Sequence, residues 1–389
     1  MAVVSGQRRT EGIASSQRVI DISKLILLLE PDSAPLTTIL GSLDGRKRKC
    51  SDPEFSWHED ELEARYDAVN NGGGYNSSAT SIVVDNGDLF AAQDLVEVPR
   101  TGEILYVSSV STNTLTVVRS FGAAAAAAVN DDEPLLIIGT AAKEGDTSLS
   151  ARTYNPTKVT NYTQIFKNSV EASGTLLSSS NESSPHDWNH QTKKVGIEHR
   201  KDIEYAFLTG SAGEETVSSD TVRTTGGILE FATANNQGMG GTMTEAEFQQ
   251  FCRNGFRYGG KTKTFFVSPL VLDVINNYSI SKLQTTVGQT QYGVKVTQIV
   301  SGQGNVTLVK HNLLEGATYG GYGILVDFSD ESVAYRYLNG DGPGGSRDTS
   351  LLQNRQENDR DGRKDEYLSE VGLQFGLPDR HAVATGITG

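Results

Sequence analysis

Hydrophobic and polar positions alternate along this chain with two periods, and the change of period marks its parts. From Ser81 to Ala141 apolar residues recur at every second place, in the runs "SIVVDNGDLFAA", "DLVEVPRTGEILYVSSVS", "TLTVVRSF" and "EPLLIIGTA", which predicts short strands with one buried face. Turn chemistry at Asn86-Gly87, Thr101-Gly102 and Thr112-Asn113 separates the runs, so the stretch reads as a small β-barrel or sandwich of its own. The Ala-rich "GAAAAAAVNDDEP" has the composition of a helix, but it joins two strand-like runs and is assigned as a loop. "TKVTNYTQIFKNSVEASGT", Thr157 to Thr175, alternates and β-branches like one long strand.

The helical period takes over in "QTKKVGIEHRKDIEYAFLTG", Gln191 to Gly210. Val195, Glu198/His199, Asp202/Ile203 and Ala206/Phe207 divide it into an apolar stripe and a charged face. With Asp187 as N-cap and Gly210 closing it, the helix has about 22 residues and a length of roughly 33 Å. Further on, Thr244 and Glu247 form a capping-box pattern for a helix ending at Gly259 or Gly260. "KTFFVSP" predicts a buried strand, "PLVLDVINNYS" a second helix, and "VKVTQIVSGQGNVTLVKHNLL" a strand, loop and strand. "GGYGILVDFSDESVAYRYL" gives two more strands, and "EYLSEVGLQFGLPDRHAVATGIT" a long strand and a short tail. The order is α+β, without an internal repeat.

Two segments resist burial. Residues 1–50 read as an arm with one short helix in "DISKLILLLEPD", stopped by Pro31. In "EFSWHEDELEARYDAVNNGGGYNSS", Phe55, Trp57 and Tyr66 stand among Glu59, Asp60, Glu61, Glu63 and Arg65, which predicts an extended excursion ending in a glycine hinge.

Charge sharpens this division. The 389 residues carry a net charge of −14, which argues against broad binding to nucleic-acid phosphate. Residues 1–50, however, hold eight basic and five acidic groups, Arg46, Lys47, Arg48 and Lys49 among them. A basic arm therefore precedes an acidic body. A 37% hydrophobic content supports an ordinary core, and no apolar run approaches the roughly 20 residues of a membrane helix.

Candidate chemistry adds little. Cys50 and Cys252 lack any CxxC context and read as buried small hydrophobes. His186 and His190 are spaced like metal ligands without a third partner. Glu357, Asp359, Asp361 and Gly362 have the spacing of a calcium loop, but Leu368 stands where that loop needs Glu. The glycine clusters Gly238–Gly241 and Gly302–Gly304 read as turns, and no GxSxG occurs. No catalytic, cofactor or metal residue is assigned, and an enzyme is not expected.

The order of these segments resembles the major capsid proteins of tailed bacteriophages with the Hong Kong 97-type shell fold. The resemblance implies an N-terminal arm (1–50), an extended loop (51–75 and 151–180) and a β-barrel module inserted in it (76–150). It further implies a peripheral domain carrying the long spine helix (181–235 and 326–389) and an axial domain (236–325). The implied function is self-assembly, as pentamers and hexamers, into an icosahedral shell enclosing double-stranded DNA, built in the host cytoplasm. Scaffolding, portal and decoration proteins are further partners that the likeness suggests. Because the arm begins near Met1, the family's long scaffolding segment is replaced by a separate scaffold or was removed as a leader. Glu59, Asp60, Glu61, Glu63, Arg65 and the basic run Arg46 to Lys49 are the candidate contacts between subunits. An encapsulin-like compartment and, in another class, a β-rich binding or adhesion protein remain open alternatives.

Overall fold

A computed structural model describes residues 34–145, 147, 155–179, 187–282, 298–340 and 345–388. The helix expected in "DISKLILLLEPD" lies outside these residues. The first described elements are helix α1 (Pro35–Ser42) and strands β1 (Lys47–Cys50) and β2 (Glu54–Glu59). Then follow β3 (Tyr66–Ala68), β4 (Ser81–Val83), β5 (Asp94–Val98), β6 (Glu103–Ser111), β7 (Thr114–Val118) and β8 (Pro134–Thr140). Strands β9 (Thr157–Tyr162) and β10 (Gln164–Ser173) lead through α2 (Gly174–Ser178) to the long helix α3 (Asp187–Thr209). The hairpin β11 (Gly213–Val217) and β12 (Asp220–Thr224), α4 (Ile228–Phe231), β13 (Asn236–Gly241) and α5 (Glu245–Gly255) come next. They are followed by β14 (Thr262–Val267), α6 (Pro269–Lys282), β15 (Gln298–Val300), β16 (Asn305–Lys310) and α7 (Gly316–Tyr319). The last elements are β17 (Gly323–Val326), β18 (Val333–Leu338), β19 (Ser350–Leu352), β20 (Gly362–Phe375) and β21 (Ala382–Ile387).

The chain divides into two compact units, one of them His58–Thr157 and the other the remainder. The His58–Thr157 unit is a six-stranded antiparallel sheet in the order β3-β8-β5-β6-β7-β4. Its outer strands meet, because Asn70 N donates to Val83 O at 2.9 Å and Asp85 N to Ala68 O at 3.0 Å. The sheet thus closes on itself around Val69, Ile82, Val96, Leu105, Val107, Leu115 and Leu135, leaving no open edge. The Ala-rich segment is a loop for a physical reason. Arg119 Nη2 donates to Ala127 O, Arg100 Nη2 to Ala128 O (2.7 Å), and Ala127 N donates to Glu103 Oε2 (3.0 Å). Backbone groups claimed by these side chains are not available to an Ala helix.

The larger unit holds two sheets. One has the order β1-β18-β20-β10, with β19 also on β20, and α3 lies against it through Ile203 and Phe207, which pack with Phe166, Val371 and Leu373. The other has the order β13-β21-β17-β14-β16-β15. Phe248, Phe251 and Cys252 of α5 and Val271, Val274 and Ile275 of α6 cover it. The first core continues into the second sheet through Phe266, Ile324, Val326 and Val383.

Several expectations are corrected. The arm is part of this unit from Pro35 on, since α1 packs on α3 and β1 pairs in parallel with β18, Lys47 opposite Tyr335. Phe55 and Trp57 are buried with Cys50, not extended in solvent. The stretch Thr157 to Thr175 is two strands in two sheets, broken where Thr163 N donates to Pro53 O (2.8 Å). At that break Asn161 turns inward, donating to Leu373 O (2.6 Å) and accepting from Gly226 N (2.8 Å). Gly238–Gly241 is no turn but a bulged strand beside β21, with Gly240 at φ 64°. Helix α5 stops at Gly255 because Lys263 Nζ takes the carbonyls of Gly255 (2.6 Å) and Tyr258 (2.7 Å). The closing tail is itself a strand, β21. The hairpin β11–β12 is a feature the sequence reading lacks. Its two-residue turn, Ser218 and Ser219 at φ 52° and 75°, needs the left-handed conformation that Asn-Gly normally signals.

One close approach depends on glycine. Gly227 N donates to Gly210 O (2.8 Å), and a Cβ on Gly227 would stand 2.7 Å from Ala206 O. The start of α4 can therefore touch the end of α3 only without a side chain.

Candidate functional site

No group of three His, Cys, Asp or Glu side chains among the described residues is placed to hold a metal. The Glu357, Asp359 and Asp361 turn is exposed, and its Arg360 pairs with Glu171 at 2.6 Å. His190 is half-buried in the first turn of α3, and His186 lies outside the described residues. Both cysteines are buried and free, and burial pushes their pKa up to about 11 at Cys50 and about 12 at Cys252, so both are inert thiols at neutral pH.

The polar groups that matter join elements to one another. Glu204 of α3 is fully buried. Its Oε1 accepts from Leu36 N (2.6 Å) and from His311 Nε2 (2.8 Å), and its Oε2 accepts from Thr37 N (2.8 Å). Helix α1 has Pro35 at its first position but Ala34 as N-cap, with no capping side chain. The carboxylate of another helix supplies the missing cap and favours the positive end of the α1 dipole. Leu313 N donates to His311 Nδ1 (3.3 Å), which fixes the Nε2–H tautomer that faces Glu204.

A second knot joins the chain around β14, β17 and β21, inner strands of the second sheet. Lys263 is buried and donates to three carbonyls, Gly255, Tyr258 and Arg380, with Asp327 at 3.8 Å. Burial pushes its pKa down to about 8 in spite of Asp327. His381, also fully buried, accepts from Asp327 N at Nδ1 (3.1 Å) and donates to Gly376 O from Nε2 (3.3 Å). A second proton on the ring would face an N–H group. Burial pushes the His381 pKa down to about 3, with Lys263 and Arg380 acting in the same direction and Asp327 against it. The unfolded chain therefore takes up the proton first, and stability falls as pH drops from about 6.5 towards about 3. Burial lowers His199 in the same direction. The melting temperature should fall steadily from about pH 7 to about pH 5. A His381→Asn variant keeps an acceptor for Asp327 N, so it should melt lower at neutral pH but with a flatter acid dependence. Circular dichroism melts at stepped pH decide this, and an unchanged slope in the variant would refute it.

The candidate contact residues fall into two groups. Asp60 to Arg65 have no regular secondary structure and lie in the His58–Thr157 unit. Asp60, Glu61 and Arg65 are exposed there, Glu59 and Glu63 are half-buried, and Leu62 between the acids is 99% exposed. The basic run is in the larger unit, and three of its four cations are engaged within the chain. Arg46 is buried and donates to Phe328 O, Lys47 pairs with Asp348 beneath Tyr335 and Tyr337, and Arg48 pairs with Glu331. Lys49 alone of the four is exposed without such an engagement among the described residues.

A long helix on a mixed sheet, continuous through one core with a second sheet covered by two helices, is the arrangement of a Hong Kong 97-type phage shell subunit. Residues 5–388 match the family model described as SU10 major capsid protein, and the chain belongs to that family. It is 24% identical over 331 residues to the major capsid protein of Pseudomonas phage PaMx41, covering 80% of this chain and 79% of that one. Among solved structures it is similar to the capsid asymmetric unit of cyanophage A-1(L), with a TM-score of 0.50, 12% identity and coverage of 98% of this chain and 99% of that chain. It also resembles the capsid of a native GTA particle, with a TM-score of 0.45, 10% identity and coverage of 97% and 98%. The chain is a phage major capsid protein, a subunit that forms a shell. No helix among the described residues is long and apolar enough to cross a membrane.

Proposed function

We propose that the chain assembles with itself, as pentamers and hexamers, into an icosahedral shell that encloses the double-stranded DNA of a tailed phage, and that it has no catalytic role. The family match across residues 5–388 carries this reading. In it, the His58–Thr157 unit is the barrel inserted in the extended loop, α3 is the spine helix of a peripheral domain, and the sheet from β13 to β15 is the axial domain. Assembly takes place in the host cytoplasm, where scaffolding, portal and decoration proteins are the further partners. The expressed chain, alone or with its neighbouring phage genes, should sediment as megadalton species that negative-stain microscopy shows to be hollow. A stable monomer in every such condition would overturn the reading.

The acidic limb Glu59, Asp60, Glu61 and Glu63 meets basic groups of an adjacent subunit. A single exposed pair contributes only about 0–1 kcal/mol, so the effect rests on several together. Changing all four to Gln or Asn should reduce particle yield severely while the unassembled chain still folds. Particles in normal yield would sink the limb's role without touching the shell itself.

A further inference from the structure

We propose that the cavity between α1, α3, β1 and β18 is an oxyanion site, with Lys47 and Arg200 as its cationic ligands and with affinity tied to the protonation of His199 through the hydroxyls of Thr349 and Ser369. The cavity has a volume of about 400 Å³, and Lys47, Arg200, Thr37, Thr38, Tyr335 and Thr349 line it. Lys47 shares its ammonium with Asp348, whereas Arg200 has no ion pair or hydrogen bond among the described residues. Among the described residues, Lys47 and Arg200 are the charged side chains of the lining, which holds no carboxylate itself; Asp348 pairs with Lys47 and the buried Glu204 carboxylate lies behind, on Thr37 N. The Thr37 and Thr38 hydroxyls are already committed to Ala34 O, at 3.3 and 2.7 Å, and the Tyr335 hydroxyl to Asp348 Oδ1, at 3.2 Å. A planar guanidinium and an ammonium therefore dominate the available donors, and they fit a sulfate- or phosphate-type anion.

A file of hydroxyls leads inward from the cavity wall. Thr349 Oγ1 is 2.8 Å from Ser369 Oγ, which is 2.7 Å from His199 Nε2, and His199 Nδ1 is 2.6 Å from Asn168 Oδ1. Asn168 donates its amide to Asp202 Oδ2 at 2.9 Å, which orients its oxygen towards the ring. With a neutral His199, Nδ1–H donates to Asn168 and Nε2 accepts from Ser369. The Ser369–Thr349 bond, which has Ser369 as donor in the structure, must then reverse, so that Ser369 accepts from Thr349 and the Thr349 proton points away from the cavity. For Thr349 to donate to an anion, Ser369 must turn to donate to Thr349, and His199 must donate at both nitrogens. The anion and one proton are then taken up together. Asp202 is the charged group facing the ring through Asn168, while Tyr367 stacks on it at 5.8 Å and Phe166 meets it edge-on at 6.4 Å. No group here needs to move further than a hydroxyl rotation.

Sulfate is the probe, because its charge does not change across the pH range used, and phosphate of a nucleic-acid backbone or free phosphate presents the same chemistry. Calorimetric titration of the full chain at constant ionic strength should show saturable sulfate binding that tightens several-fold between about pH 7.5 and about pH 5.5. Arg200→Gln should weaken it at least tenfold at both values. Thr349→Val should retain binding at the higher pH and lose the pH dependence. Absence of saturable binding, or an Arg200→Gln variant that binds as well, would overturn the site. A Thr349→Val variant with the full pH dependence would overturn the link to His199. Competition by a short DNA duplex assigns the ligand to a nucleic-acid backbone, an arm that rests on the shell enclosing DNA, whereas competition by inorganic phosphate alone assigns it to the free anion. Because sulfate binding is read on the unassembled chain, its failure is distinct from a failure to form particles.

Discussion

Glu204→Ala should lower stability by about 3–5 kcal/mol, enough to bring a typical domain near its unfolding threshold. The substitution leaves two buried donors, Leu36 N and His311 Nε2, and the half-buried Thr37 N without their acceptor. Each such orphan costs about 1–3 kcal/mol, partly offset because a carboxylate no longer has to be kept dry. Glu204→Gln keeps one oxygen acceptor but points an amide N–H at one of the donors, so about half the loss is expected. Urea melts of the three proteins give the order, and a Glu204→Ala loss below about 1 kcal/mol would mean that water replaces the carboxylate. Loss of protection of the α1 amides in hydrogen exchange should accompany the variant, since the cap is what fixes that helix on α3.

Glu103→Ala should have an effect of similar size, confined to residues 58–157. Glu103 is fully buried and its partner Arg119 nearly so, with two parallel bonds at 2.8 Å. Burial alone would raise the Glu103 pKa, but Arg119 and the N–H groups of Ala127 and Ser120 outweigh it and hold the carboxyl below its ordinary range. Removing one member of a buried pair leaves the other charge uncompensated, at about 3–5 kcal/mol. A unit of this size has little stability to spare, so its own unfolding transition should shift to lower temperature while that of the rest stays in place. Glu103→Leu combined with Arg119→Met should recover only part of the loss, because Ala127 N and Ser120 N still lack their acceptor. A uniform shift of one single transition would argue that the units do not unfold separately.

The elements were legible in the sequence wherever one period ran long enough. The α3 stripe, the capping box of α5 and the short strands of residues 81–141 needed only Ile203 and Phe207, Thr244 and Glu247, or the alternation of Val96, Val98, Leu105 and Val107 to be assigned. What escaped was polar and long-range. Glu204 reads as one more acid on a charged helix until Leu36 is seen beside it, and no local pattern links residues so far apart. A signal did exist, because a Pro-initiated helix after Ala34 lacks its own cap and must borrow one. The basic run likewise read as free charge, since nothing in "GRKRKC" announces Asp348 or Glu331 as partners. The hairpin at Ser218-Ser219 was missed because its turn lacks the Asn-Gly signature. The fold therefore followed from periodicity, while the knots and contact surfaces depend on encounters that periodicity does not encode.

The strand order of the larger unit also sets a timetable. Strand β1 has β18 as its neighbour and β10 has β20, while β21 sits between β13 and β17. Neither sheet can close until residues 362–387 have left the ribosome. Contacts this distant in sequence make for slow folding, because the loop they close must be ordered before it is rewarded. The strands of residues 58–157 pair among themselves and can condense while the rest is still being synthesised. A nascent chain thus spends most of its synthesis as a finished small domain on an unfinished body, with the strand edges of β1, β10 and β13 unpaired. That interval is when a folding helper has most to protect, and when a mutation that slows translation late in the gene would be felt as aggregation instead of lost stability.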